Sequence, residues 1–470
     1  MPHLTSMTIG GLRGFSTLEK IEFAIPNGTP GSGLTILVGA NNCGKSTVIE
    51  AIRAISRGNA PSYSTLKRNV PFGDKVDILA NFTGGGTRHL TSVAPGSSET
   101  SWGSSSLQPS GIDIMIVPSR RGFAPQFGKV HDMERAQYLQ NLQESSKRAQ
   151  IMDSMFASRL FRIEKDPLNR KRFNSVLEKI MANMPEWTID LTEDETYFIK
   201  FVAAGGYSHS SDGVGEGIVS LFSIADALYD STQDSVIVID EPELSLHPQY
   251  QRRLKAVLTE YSQDRQIVYT THSPYFIDWS DIDHGAEIAR VIKPNGGSSH
   301  IRQASREVLN DVARLRRSAA NPHILGVSSS EVFFLDDDVI LTEGQEDVVY
   351  FKLIDSHINE SMNGTFYGFG AGGAGNISKL MRLLNSLGYQ KVVAIYDGDK
   401  RDDAEKARTE FTHYHIEVLP ADDIRTKKAE PARQEKIGLW NGQGIDASLV
   451  SATQEMYDRV NSYLQRPAHA

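Results

Sequence analysis

The sequence predicts an α/β protein in two parts: a phosphate-loop head split by a helical insertion, then a compact second α/β domain. Three observations predict it. A Gly-rich turn, Gly39 to Ser46, lies between an apolar strand and a helical pattern. A second apolar strand, Ser235 to Ile239, ends far along the chain on two acids, Asp240 and Glu241. From Val339 onward short apolar strands alternate with helical stretches, and two of these strands also end on acids.

The first turn reads LTILVGANNCGKST, with strand Leu34 to Val38 before it and a helical pattern from Val48 to Ile55 after it. Backbone N–H groups in such a turn and at the helix start point at phosphates. Gly39, Asn41, Asn42, Gly44, Lys45, Ser46 and Thr47 are therefore the expected nucleotide-binding residues. Lys45 is expected on the β- and γ-phosphates of ATP, and Ser46 as a hydroxyl ligand to Mg²⁺. The run SVIVIDE places Asp240 to hold that Mg²⁺ through water and Glu241 to polarise the attacking water as general base. A third apolar strand, in IVYTTHSP, leads to His272.

These motifs resemble those of ABC-type ATPases. Pro242 to Pro248 is similar to their D-loop, and His272 stands where that class has a switch histidine sensing the γ-phosphate. Between the two apolar strands, His209 to Gly217 resembles the ABC signature, although it departs from the usual LSGGQ form. Ser211 and Gly213 are its expected phosphate contacts. A signature binds ATP held by another subunit, so the resemblance implies a homodimer or a higher homo-oligomer. The expected catalytic set of the chain is Lys45, Glu241, His272 and, in the second domain, Asp397.

Residues 132–185 carry few glycines and much Met, Leu, Gln, Arg and Glu, which suggests two or three helices inserted into the head. The expected boundaries are 1–131 and 189–325 for the two parts of the head, 132–188 for a helical dimerisation insert, and 326–470 for the second domain. In that domain VILTEG is a strand, 345–357 a helix, 364–369 a strand, 376–388 a helix, KVVAIYDGD a strand, 402–411 a helix and HIEVLP a strand.

Glu343 and Asp347 follow the first of these strands, and Asp397 and Asp399 follow KVVAIY. Acids at two strand ends of one parallel sheet can converge on hard divalent cations, which prefer oxygen ligands. Metal-assisted phosphodiester cleavage uses this kind of arrangement. The bland alternative is that the acids cap helices and turns. The loop Gly368 to Gly375 would let a phosphate or a metal approach the backbone closely.

The pair E-G-x-x-D and D-x-D resembles the Toprim fold of topoisomerases, primases and OLD-family nucleases. A split ABC-type P-loop ATPase head followed by a compact Toprim domain is similar to the OLD (overcoming lysogenization defect) family, which includes Gabija-type phage-defence nucleases. The resemblance covers essentially the whole chain. It implies an ATP-regulated DNA endonuclease in bacterial antiphage defence, with Mg²⁺ or Mn²⁺ on Glu343, Asp347, Asp397 and Asp399. It also implies DNA as a ligand and, in some members, a partner defence protein or a retron component. The family completes its nuclease site with a further acid and a lysine after D-x-D. Here that stretch is Leu419 to Lys427, where Arg425 stands about where a glutamate is expected and Asp422 or Asp423 is the available acid. The alternative is an ATPase sensor or scaffold whose degenerate Toprim domain does not cleave and controls a partner effector.

Composition sets outer limits. At roughly 100–200 residues per domain, 470 residues allow several domains. With 39% hydrophobic and 23% charged residues, the chain is of ordinary globular composition. No apolar run is long enough to span a bilayer, and no signal peptide precedes the head, so a cytoplasmic protein without membrane contact is expected. Cys43 is the only cysteine, which excludes an intrachain disulfide. A net charge of -9 argues against whole-surface binding to nucleic acid but leaves room for a local basic groove. Basic clusters at Arg120-Arg121, 169–172, Arg314-Arg316-Arg317 and Lys427-Lys428 read as solvated faces.

Overall fold

A computed structural model describes residues 3–104, 113–119, 121, 149–181, 184–193, 197–202, 207–210, 215–317, 333–335, 337–368, 370–427 and 436–465. The chain divides into two compact units, Met1–Ile301 and Arg302–Ala470. The boundary expected at 325/326 and residues 132–148 of the expected insert lie outside the described residues, as do Ser211 and Gly213.

The centre of the first unit is a six-stranded sheet. Its strands are β1 (Leu34–Val38), β2 (Ile114–Val117), β3 (Val236–Ile239), β4 (Gln266–Thr270), β5 (Glu287–Ile292) and β6 (His300–Gln303), in the order β6-β5-β1-β4-β3-β2. From β5 to β2 the neighbours run parallel. Every residue of β1 to β4 is buried, as parallel strands covered on both faces must be. The strand leading to His272 thus lies between the phosphate-loop strand and the strand ending at Asp240, and one sheet edge collects all three motifs.

The helix after β1, α1 (Lys45–Ser56), begins at Gly44 with φ 121° and no side-chain cap, and the Thr47 N–H donates back to the Gly44 carbonyl at 2.9 Å, a helix start of the kind that receives an anion. It runs three residues closer to the loop than the apolar pattern Val48 to Ile55 indicates, because polar Lys45 and Ser46 start it. Its inner face packs against an antiparallel sheet with strand order Glu19–Glu22, Leu4–Gly10, Asp77–Phe82, Thr87–Ser92 and Thr100–Trp102. There alternate residues such as Ile78, Ala80 and Leu90 enter the same core as Ile49 and Ile52.

The described part of residues 132–188 holds α2 (Ala149–Lys165) and α3 (Pro167–Ile180). Asp166 caps α3 by accepting from the N–H of Leu168 at 2.9 Å, with Pro167 at its first turn. Phe173 of α3 lies edge-on to Phe222 and Tyr229, both 5.5 Å away between ring centres, on helix α4 (Glu216–Tyr229). The apolar face of α3 is therefore buried within its own chain. A further helix, α5 (Pro248–Tyr261), links β3 to β4.

The second unit opens with α6 (Arg306–Arg317) and then alternates strand and helix: β7 (Val339–Leu341), α7 (Gln345–Ile358), β8 (Thr365–Phe366), α8 (Ala374–Ser386), β9 (Val392–Tyr396), α9 (Arg401–Glu410) and β10 (His415–Val418). The strands form a parallel sheet in the order β8-β7-β9-β10. β8 is shorter than the expected 364–369 because Gly368 and Gly370, at φ 51° and 85°, turn the chain away. A small parallel pair, β11 (Asp423–Arg425) and β12 (Gly438–Trp440), and the last helix, α10 (Val450–Leu464), close this unit over Phe351, Val393 and Ile395. Among the described residues no helix is long and apolar enough to cross a membrane.

Candidate functional site

In the first unit the phosphate loop is held by close backbone contacts. A side chain at Gly39, φ 141°, would place its Cβ 2.2 Å from the Val291 carbonyl oxygen. Lys45 is buried and donates from Nζ to the carbonyls of Gly39 and Ala40, 2.9 Å each. Burial lowers its pKa, partly offset by Cys43 and by the carboxylates of Glu241, Asp240 and Glu243. The Ser46 hydroxyl faces Asp240 Oδ2 at 3.4 Å, while Asp240 Oδ1 accepts from Thr270 Oγ1 at 2.6 Å. A hydroxyl and a carboxylate meeting at the start of α1 are the donors a hard cation takes.

Glu241 has φ 50°, a left-handed conformation uncommon for a residue with a side chain. Its N–H donates to Thr270 Oγ1 at 2.9 Å, and its carbonyl accepts from Arg121 Nη2 at 3.2 Å. Its backbone is thus held on both sides. His272 Nε2 lies 3.7 Å from Glu241 Oε1. Burial, with the Lys45 charge beside it, holds the His272 pKa below the usual imidazole range, so the ring is neutral at pH 7. The backbone N–H of His272 donates to Glu243 Oε1 at 2.6 Å, tying β4 to the turn after β3. In that turn Ser245, φ 61°, donates to Glu216 Oε2 at 2.9 Å, at the first residue of α4. A Cβ on Gly217 would meet the Ser245 carbonyl at 2.6 Å, so only glycine allows this approach.

In the second unit four carboxylates gather where β7 and β9 end. Glu343 Oε1 accepts from the N–H of Asp397 at 3.0 Å. Asp347 Oδ2 accepts from the N–H of Gly344 at 2.8 Å, so it does cap α7 while facing the other acids. Burial, with Asp347, Glu343, Asp423 and Asp399 nearby, pushes the Asp397 pKa up to about 8. Burial likewise raises Asp347 to about 6, with a backbone bond from Gly344 opposing it and Glu343 adding to it. Asp399 goes the other way: burial would raise it, but Lys436 at 2.5 Å and Lys400 at 3.4 Å bring it below the ordinary value. The Gly-rich loop folds onto this turn. The N–H of Gly373 donates to the Glu343 carbonyl at 2.7 Å, and a Cβ on Gly370 would stand 2.6 Å from the Gly344 backbone.

A family model for AAA domains, described with AbiEii toxin and type IV toxin–antitoxin systems, matches residues 34–278. The chain belongs to this AAA family. The Toprim-domain model of overcoming lysogenization defect-like proteins matches residues 334–399, so an AAA-type ATPase head and an OLD-like Toprim domain follow one another on one chain. The Septu protein PtuA of Bacillus thuringiensis is 23% identical over 368 residues, which cover 70% of this chain and 88% of that one. The Old nuclease of Escherichia phage P2 is 25% identical over 164 residues, 33% of this chain and 26% of the nuclease. This chain thus spans about a quarter of that nuclease's length. Among solved structures, the SMC head domain from Thermotoga maritima is 15% identical with a TM-score of 0.38, covering 64% of this chain and 99% of that one.

Sequence context hides Arg121 and leaves Asp423 open against Asp422, and the structure brings each beside one group of acids. Arg121, in a basic pair that reads as surface, sends its guanidinium to the carbonyls of Asp240 and Glu241 and to Ser220 Oγ on α4. Burial pulls its pKa down to about 10. It braces the two acids from behind. Of the two adjacent aspartates, Asp423 is the one that lies beside the four carboxylates. Gly398 packs so tightly on Ala421 that a Cβ would lie 2.3 Å from the Ala421 carbonyl, and this carries the neighbouring Asp423 to Asp347 and Asp397. Asp422 is exposed. Asp423 is buried and pairs with Lys427 at 2.6 Å. Arg425 stays outside the cluster, where its Nη2 donates to Glu346 Oε1 at 2.7 Å. Among the described residues no three carboxylate, imidazole or thiol groups stand ready to hold one metal ion. The oxygen donors suit a hard divalent cation, and Asp347 and Asp397, raised by burial and then by neighbouring carboxylates, carry negative charge that a cation would offset.

These shifts set a pH dependence. Asp347 and Asp397 bind more protons folded than unfolded between about pH 4 and pH 8, so the Toprim domain loses stability as pH rises through that window. In metal-free protein the unfolding midpoint should fall between pH 5.5 and 8.5. Asp397→Asn should flatten that fall by on the order of a few kcal/mol, at roughly 1.4 kcal/mol per pKa unit. Thermal melts in EDTA across the range check it, and an unchanged slope in Asp397→Asn removes the argument.

Proposed function

We propose that the head hydrolyses ATP and that its nucleotide state governs a metal-dependent DNA endonuclease in the Toprim domain, serving bacterial defence against phage. The observation that carries the reading is the meeting of Ser46 and Asp240 at 3.4 Å beside Glu241, with His272 just past the end of the strand between. Lys45 would turn from the Gly39 and Ala40 carbonyls to the β- and γ-phosphates. Ser46, and Asp240 through water, would hold Mg²⁺, which offsets phosphate charge when bound. Glu241 would take the proton of the attacking water as its oxygen bonds to the γ-phosphorus and the bond to ADP breaks. Neutral His272 would donate a hydrogen bond to the γ-phosphate.

In the Toprim domain Glu343, Asp347, Asp397 and Asp399 would hold Mg²⁺ or Mn²⁺, with Asp399 released from Lys436. The metal supplies Lewis-acid activation of water. One observation favours a second reading: lysines already pair with Asp399 and Asp423. In that reading the Toprim domain does not cut, and the ATPase acts as a sensor or scaffold for a partner defence protein or a retron component.

The signature resemblance at Ser211 and Gly213 supports two chains closing on two ATP molecules, a two-fold homodimer. Light scattering of the Glu241→Gln chain with ATP should give at least twice 51.9 kDa. A strict monomer at every concentration with full ATP turnover overturns the dimer.

A further inference from the structure

One flank of α1 opens onto a cavity of about 330 Å³. Arg13, Arg53, Arg57 and Lys67 line it, and Ser46 and Asp240 stand at one end. The carboxylate of Glu50 is shared, with Arg13 at 2.8 Å and Lys67 at 2.6 Å. Arg53 lies in the last turn of α1 and Arg57, four residues on, is its C-cap with extended backbone, and their like charges repel. The Nε atoms of both are buried without a hydrogen-bond partner. The helix end that carries Arg57 is fixed, because its carbonyl accepts from Nη2 of the buried Arg88 at 2.8 Å. Burial, with Arg57 beside it, lowers the Arg53 pKa against the pull of Glu50 and Asp240. Two guanidinium groups held close, partly desolvated and short of acceptors, leave an unmet demand for an anion.

We propose that this cavity is a second anion site that takes a phosphate group other than those held by the Gly39–Ser46 loop. Guanidinium groups match phosphate oxygens bidentately, and two of them, one in the last turn of α1 and one on its C-cap, can grip one phosphate. The volume lies at the lower end of small-ligand sites, enough for a phosphate with its sugar. The phosphate belongs to a free nucleotide or to a nucleic-acid strand. Either would be sensed at the Ser46–Asp240 end of the same helix, so the site is placed to couple a second phosphate ligand to the nucleotide. The binding itself does not depend on the ATPase reading.

The test uses the full chain carrying Lys45→Ala, which disables the phosphate loop. Inorganic phosphate, set against sodium chloride at equal ionic strength, should raise its thermal midpoint saturably. Adding Arg53→Gln and Arg57→Gln should weaken the apparent phosphate affinity at least about tenfold. The charge-keeping pair Arg53→Lys and Arg57→Lys, which loses only the planar fork, should weaken it by at least a few-fold and serves where the Gln pair does not fold. No saturable shift in Lys45→Ala, or affinity unchanged in both substituted pairs, overturns the proposal. Anisotropy with a short oligothymidylate, with and without a 5′-phosphate, then separates the sources. Binding lost in the substituted pairs assigns the site to a strand, and competition by AMP alone assigns it to a free nucleotide. The ATPase reading stands or falls separately on turnover by the chain with Lys45 intact.

Discussion

Glu241→Gln should bind ATP as tightly as the unchanged chain and hydrolyse it about 10²–10⁴-fold more slowly, the usual worth of a positioned general base. The substitution keeps the shape of the side chain and removes its basicity. The geometry around it should survive, because the position is fixed through the backbone: Thr270 Oγ1 accepts from its N–H and Arg121 holds its carbonyl. The unusual φ of 50° is therefore set by neighbours that the substitution does not touch. Lys45→Ala should fail differently. It removes the charge that meets the phosphates, so affinity falls before turnover is at issue. A fluorescent ATP analogue and a phosphate-release assay on both variants separate the two roles. Turnover at the unchanged rate in Glu241→Gln would remove it as the base and leave His272 or Glu243 to be tried.

The parts of the head legible from sequence are those where local chemistry fixes local structure. Gly39 and Gly44 need positive φ, Leu34 to Val38 needs burial on both faces, and an acid pair closes an apolar strand, so the loop and both carboxylates could be placed by pattern. The Toprim alternation was legible for the same reason, and its helices fall within two residues of the expected ranges at either end. Arg121 was not legible. A basic pair looks like a solvated face, and only the pairing of β2 beside β3 brings it behind Asp240. Asp423 was open between two adjacent aspartates because the choice depends on Gly398 meeting the Ala421 carbonyl, a contact between segments with no sequence period. The anion cavity is of the same kind. Arg13, Arg53 and Lys67 come from three segments, and only the end of α1, with Arg53 in its last turn and Arg57 on its C-cap, hints at it.

Asp397→Ala should abolish divalent-metal binding to the Toprim domain and with it any nicking of plasmid DNA, leaving ATP turnover in place. The residue is central: its N–H binds Glu343, and burial, with Asp347, Glu343, Asp423 and Asp399 crowding it, pushes its carboxyl pKa up to about 8. At pH 7 the free site therefore holds on to a proton, and a divalent cation must displace it as it binds. Metal affinity should accordingly rise with pH between about 6 and 8, the range set by Asp347 and Asp397. Calorimetric titration with Mn²⁺ at pH 6.5 and 8.5, on the unchanged chain and on Asp397→Ala, reads that directly. Plasmid nicking with Mn²⁺, with and without ATP, reads the activity beside it. Nicking that depends on Asp397 establishes the ATP-governed nuclease. Metal binding without nicking under any nucleotide condition replaces it by the sensor or scaffold, in which Lys436 and Lys427 keep Asp399 and Asp423 paired. No metal binding at either pH leaves the four acids as structural groups, with Asp347 serving as the cap of α7 that its bond to Gly344 already makes it.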